Sequence, residues 1–171
     1  PCDRCGGKGT LIESPCRTCR GRGTVEKTRK ISVRIPAGIE TGTSLRLSGE
    51  GEAGVRGGPP GDLYAVVHVK PHNVFEREGS DILCEVPVGF AQAALGAEIE
   101  VPTLESRAKM KIPAGTQTGT IFRLRGRGLP EVDGYGKGDE LVRAVIRTPT
   151  KLSQRQKQLL AEFAKETGEN L

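Results

Sequence analysis

The sequence predicts a mainly β protein. It reads as two tandem, similar β-rich units of sandwich or barrel type, a small cysteine-rich module before them and one helix at the C-terminus. Three observations carry this. A long segment repeats at a fixed offset, its apolar residues alternate in short runs between Gly- and Pro-rich turns, and helical periodicity is sustained only near the end. The 171 residues include 24 Gly and 11 Pro, which suits short strands joined by many turns. Hydrophobic residues make up 35% and aromatics 4%, with no Trp, so the expected core is thin and aliphatic. No apolar run approaches the roughly 20 residues that span a bilayer. No apolar signal segment follows the N-terminus, so the expected location is cytoplasmic, with no membrane partner. The chain opens on Pro-Cys without an initiator Met and reads as a fragment.

Residues 1–24 form the cysteine-rich module. Cys2-Asp3-Arg4-Cys5-Gly6-Gly7-Lys8-Gly9 and Cys16-Arg17-Thr18-Cys19-Arg20-Gly21-Arg22-Gly23 share the pattern Cys-x-x-Cys-x-Gly-x-Gly at a spacing of 14. Two thiolates three residues apart grip one tetrahedral ion from a tight turn, and the following glycines allow positive φ around it. Neighbouring Arg and Lys offset the thiolate charge. Zinc is therefore the expected cofactor, with Cys2, Cys5, Cys16 and Cys19 as ligands. Taken alone, the two pairs read as one four-cysteine site. The module's large aliphatics are only Leu11 and Ile12, so metal ligation must supply its folding energy.

Residues 25–78 form the first β-rich unit and 79–150 the second. Ile35-Pro36-Ala37-Gly38 recurs as Ile112-Pro113-Ala114-Gly115, Thr41-Gly42-Thr43 as Thr118-Gly119-Thr120, Arg46-Leu47 as Arg123-Leu124, and Gly61-Asp62 as Gly138-Asp139. The offset is always 77, with 15 identities in 28 ungapped positions, beyond what chance supplies. Ile31, Val33 and Ile35 alternate with Ser32 and Arg34, as Met110 and Ile112 do with Lys109 and Lys111. Leu45 and Leu47 flank Arg46, as Phe122 and Leu124 flank Arg123. With turn residues between them, each pair of runs is expected to form a hairpin. A third strand follows each Gly-Asp, with Leu63, Ala65, Val67 and Val69 on one face, matched by Val142, Ala144 and Ile146. The second unit has further elements in front: a strand over 82–88, a short helix over 90–95 ended by Gly96, and a strand over 98–101. The same positions in the first copy hold the cysteine motifs. This suggests a metal module inserted into the first unit, whose front strands precede it.

Residues 151–171 hold the helix. Ser153 and Gln156 fit a capping box, Gly168 suits the stop, and Leu159, Leu160, Phe163 and Ala164 make an apolar stripe.

The doubled cysteine motif, the repeat behind it, and the runs Gly49-Glu50-Gly51-Glu52-Ala53-Gly54, Phe75-Glu76-Arg77-Glu78-Gly79 and Ala94-Leu95-Gly96-Ala97-Glu98-Ile99-Glu100-Val101-Pro102-Thr103-Leu104 resemble bacterial-type DnaJ co-chaperones over essentially the whole chain. The resemblance implies a C-terminal fragment without the J-domain, the Gly-rich linker and the first two of four Cys-x-x-Cys motifs. In that family two zinc ions are each held by two motifs, so each would find only two of its four ligands here. It implies binding of unfolded or non-native polypeptides in a groove on the first β unit. The positions matching that groove are Ile31 and Phe75, with Val33 and Leu47 as neighbours. It implies a homodimer through Leu159, Leu160 and Phe163, and, in the intact protein, delivery of clients to a DnaK-type ATPase chaperone. Phe75 is expected in a connection between units, where no core position is required.

No catalytic constellation emerges, so the chain is expected not to be an enzyme. His68 and His72 lack a nucleophile, Cys84 reads as a small buried hydrophobe, and Glu85, Glu98 and Glu100 show no pairing logic. The Gly-rich loops at 49–61 and 126–138 lack the Gly-Lys-Ser/Thr ending of a phosphate loop. Two rival readings are a zinc-dependent nucleic-acid-binding module and a thiol–disulfide oxidoreductase acting through Cys2/Cys5 or Cys16/Cys19. Net charge +5 permits the first, but the basic segment 1–30 carries no aromatic for base stacking. The second lacks the βαβ context of a redox Cys-x-x-Cys.

Overall fold

The computed structural model describes residues 3, 9, 14–21, 23–54, 57–132 and 134–170. It is mainly β, with a C-terminal helix, and its contacts divide it into two units, Pro1–Val69 and Lys70–Leu171.

In the first unit, β1 (Ser44–Leu47) and β2 (Leu63–Val66) pair antiparallel, Leu45 opposite Ala65 and Leu47 opposite Leu63. Asp62 locks the entry to β2. Its carboxylate accepts from Arg46 Nε at 2.7 Å and from the Gly49 amide at 2.9 Å. Thr41 Oγ1 accepts from the Val69 amide at 3.0 Å. Among the described residues of this unit, Ile39 is the buried hydrophobic side chain. Residues 31–35 belong to no described strand, although their alternation predicts one. A strand needs a ladder partner as well as a pattern, and among the described residues none lies beside this run.

In the second unit, β3 (Phe75–Glu78), β4 (Asp81–Gly89), β7 (Ile121–Leu124) and β8 (Glu140–Arg147) form one sheet in the order β3-β4-β8-β7. β4 runs parallel to β8, and the other two pairings are antiparallel. β5 (Ala97–Pro102) and β6 (Arg107–Ile112) make a separate antiparallel pair. Helix α1 (Phe90–Leu95) leaves β4 directly and buries Ala93. It ends at Gly96 as expected, with φ 81°, where a Cβ would come within 3.1 Å of the Ile112 carbonyl. Cys84, Val86, Val88, Ala93, Val101, Met110, Ile112, Val142 and Ala144 form the core. β4 and β8 are the two central strands of this sheet, flanked on both sides, and they carry the most buried residues.

The hairpins expected around each Pro-Ala-Gly and Thr-Gly-Thr are corrected. β7 pairs with β8 and β6 with β5, so the turn carries the chain from one sheet to another. Still, the repeated residues make the same bonds within each unit. Asp139 accepts from Arg123 at 3.1 Å and from the Gly126 amide at 2.8 Å, as Asp62 does from Arg46 and Gly49. Thr118 Oγ1 accepts from the Ile146 amide at 2.9 Å, as Thr41 does from Val69. Gly51 and Gly128 pass so close to the residues that open the following strand that a Cβ would collide with backbone, at 2.7 Å from Asp62 O and 2.5 Å from the Gly138 carbonyl carbon.

Helix α2 (Gln154–Thr167) is capped as read from its sequence. Gln156 N donates to Ser153 Oγ at 3.3 Å, Ser153 N donates to Gln156 Oε1 at 2.8 Å, and Gly168 takes φ 76°.

Candidate functional site

The first unit presents apolar side chains without covering them. Ile31, Val33 and Leu47 are half-buried. Ile35 (58%), Tyr64 (60%) and Val66 (55%) are exposed beside them in the chain or on β2. The expected inward face of the third strand is only partly formed, with Ala65 and Val67 half-buried and Leu63 and Val69 exposed. Sequence reasoning passed over Tyr64 and Val66. Their signal was the unbroken apolar run Leu63-Tyr64-Ala65-Val66-Val67, which leaves both strand faces wanting contacts. Among the described residues, no third strand joins either edge of the β1–β2 sheet.

Phe75 is not in a loop and not in this unit. It opens β3 opposite Cys84 and packs half-buried against the second unit's core. Its ring tilts against His72, centroids 5.1 Å apart, and His72 Nδ1 accepts from the amides of Val74 and Phe75 at 3.1 and 3.3 Å. The missed strand had a signal: Gly79-Ser80, Gly79 with φ 64°, forms the two-residue hairpin turn between β3 and β4. The first three groove positions and Phe75 thus fall in different units.

Of the four expected metal ligands, Cys2 and Cys5 lie outside the described residues, while Cys16 is exposed and Cys19 half-buried. The Arg20 amide donates to the Cys16 carbonyl at 2.7 Å, closing a turn in which Arg20 (φ 49°) and Gly21 (φ 85°) take left-handed backbone. The Cys19 and Thr18 amides, then their side chains, donate toward the Cys16 sulfur and bring its pKa down to about 7. A thiolate is thereby accessible at neutral pH, which is the form a metal needs. Among the described residues, no group of three or more potential ligands gathers around this turn.

On α2, Leu159 (48%), Leu160 (38%) and Phe163 (47%) stay exposed, and Ala164 alone is buried. Phe163 meets Phe90 of α1 edge-on, centroids 6.3 Å apart. No described helix is long and apolar enough to cross a membrane.

Known proteins carry the same pattern. The chain is 57% identical over 168 residues to the chaperone protein DnaJ of Desulfitobacterium hafniense, covering 98% of this chain and 45% of that protein. It is 58% identical over 167 residues to that of Halalkalibacterium halodurans, with the same coverage, and 61% identical over 160 residues to that of a Geobacillus species, covering 94% and 42%. The chain thus spans less than half the length of these relatives. Residues 7–149 match the DnaJ C terminal domain, well over half of the sequence and both β units, and the chain therefore belongs to that family.

Proposed function

We propose that this chain is the polypeptide-holding part of a co-chaperone. An extended, non-native segment adds to an open edge of the β1–β2 sheet, and its apolar side chains seat against Ile31, Val33 and Leu47. The single observation that carries this is the exposed apolar surface of the first unit, with Ile35, Tyr64 and Val66 all more than half exposed around a sheet that no third described strand joins. Backbone pairing accepts any sequence, while shallow apolar contacts favour large aliphatic and aromatic residues. Phe75 is the fourth position of the reading, and its packing in the second unit competes with that role. The shared hydrogen bonds around Asp62 and Asp139 support reading the two units as tandem copies.

Three further parts belong to the same reading. Cys2, Cys5, Cys16 and Cys19 hold zinc, supported by the turn and lowered thiol pKa at Cys16. Leu159, Leu160 and Phe163 make a homodimer contact, supported by their exposure on an otherwise well-capped helix. In the whole protein, clients pass to a DnaK-type ATPase chaperone, supported by similarity to proteins named DnaJ. The reading is non-catalytic and cytoplasmic.

The test is anisotropy of a fluorescent, unfolded Leu-rich peptide. Ile31→Asp should weaken binding at least tenfold, about 1.4 kcal/mol, while leaving the second unit's unfolding midpoint unchanged. Unchanged affinity would place the groove elsewhere. Tighter binding to single-stranded RNA than to peptide would favour the nucleic-acid reading.

A further inference from the structure

We propose that Glu140 is a proton-operated latch of the second unit, holding the junction of β4, β8 and β7 closed as a neutral carboxyl and loosening it on ionisation. Glu140 opens β8 with no exposed surface, in register with Ile82 of β4 and Leu124 of β7, on the strand face that carries Val142 and Ala144. Oε1 accepts from Cys84 Sγ at 3.5 Å, and Cys84 is 1% exposed. Oε2 is enclosed and has no hydrogen bond among the described residues. Glu50, whose Oε2 is similarly enclosed, instead meets Arg29 at 3.1 Å. A buried carboxylate with a thiol on one oxygen and no described partner on the other is costly, and the neutral carboxyl costs much less.

The strand does not require an acid here. Seventy-seven residues earlier, at the equivalent position of β2, stands Leu63. The titratable and charged groups facing Glu140 are Cys84 from β4 and Arg127 from the loop after β7, while β7 itself offers Leu124 at the paired position. Arg143 alternates to the other face and bonds Glu85 at 3.2 Å. The flanking carboxylates are engaged elsewhere, Asp81 with the Asp139 amide at 2.6 Å and Asp139 with Gly126 and Arg123. Burial pushes the Glu140 carboxyl above its ordinary range, and the Cys84 contact and Arg127 oppose that without reversing it. Burial, then the charge of Glu140, pushes Cys84 up to about 12, so the thiol remains a donor throughout.

The folded state therefore binds a proton that the unfolded state has released. The stabilisation is fully present below the ordinary carboxylate range and is lost as pH rises through the raised value. One proton changes the closed-to-open ratio by at most about tenfold per pH unit within that window. The test uses the full 171-residue chain with E140Q and E140L, the latter copying the first unit's residue. Amide exchange at Ile82, whose N–H is held by the Asp139 carbonyl at 3.0 Å, is followed from pH 5 to 8 as protection factors. In the native sequence, protection should fall with pH, and in both variants that fall should vanish. The carboxyl carbon of Glu140 should titrate above the range of the exposed glutamates. Parallel profiles in the native chain and E140Q, or a Glu140 titration at the ordinary carboxylate value, would overturn the latch.

Discussion

Phe75 shows how one residue can be read in two ways until its neighbours are known. In the sequence it follows Pro71-His72-Asn73 and looks like a loop aromatic, but in the structure it pairs with Cys84 and leans on the second core. Phe75→Ala should therefore cost the second unit about 2 kcal/mol, less than the 3–5 of a fully buried Phe. Urea unfolding followed through that unit's signals measures it, and a midpoint left unmoved would return Phe75 to a surface role. Asp139 makes a pH prediction of the opposite sign to Glu140. The Gly126 amide first, then Arg123, holds its carboxyl below the usual range against a smaller opposing effect of desolvation. Its contribution is present above the ordinary aspartate value and lost as pH falls through the depressed one. Asp139→Asn should flatten the acid limb of the second unit's stability profile, and an acid limb identical to the native one would refute that assignment.

Among elements, α2 was the most legible and β3 the least. A capping box, a left-handed glycine stop and a stripe at helical spacing are all local, and local signals survive without tertiary help. β3 is four residues of which three are charged, so no alternation marks it, and only its partner β4 makes it a strand. The apolar stripe of α2 leads to a separate prediction. Phe163→Asp should shift the sedimenting species from dimer to monomer in analytical ultracentrifugation while the helix keeps its circular dichroism. A chain that is monomeric before substitution would remove the dimer proposal. The run 31–35 teaches the converse of β3. Its alternation is as good as that of β6, yet β6 lies against β5 and 31–35 lies against no described strand.

At the scale of the whole molecule, the core is unevenly divided. The buried cluster lies entirely in the second unit, whereas the first has Ile39 as its buried hydrophobic among the described residues. The structural boundary after Val69 also places β3 with the second unit, nine residues before the boundary expected from the repeat. The cysteine module should behave as a third party, since its large aliphatics are two residues. Removing metal with a chelator should disorder residues 1–24 and leave the β signal of the second unit largely intact. Loss of the β signal over the same chelator range would show that the module supports the rest of the chain.

By itself the sequence determined whatever depends on local chemistry or on self-comparison. The two-copy pattern, the turn at Cys16–Cys19, the α2 caps, the Gly96 stop and the mainly β class all follow from residue types at short fixed spacings. Its resemblance to DnaJ rested on the same motifs. Only tertiary structure decided the parallel pairing of β4 with β8, strands separated by more than fifty residues, because no local signal encodes a partner that distant. It also decided which apolar runs are covered. Val142 and Ala144 are buried in the core cluster with Ala93, Val101, Met110 and Ile112, while Tyr64 and Val66 on β2 remain in water, since burial belongs to the neighbours a residue acquires and not to the residue.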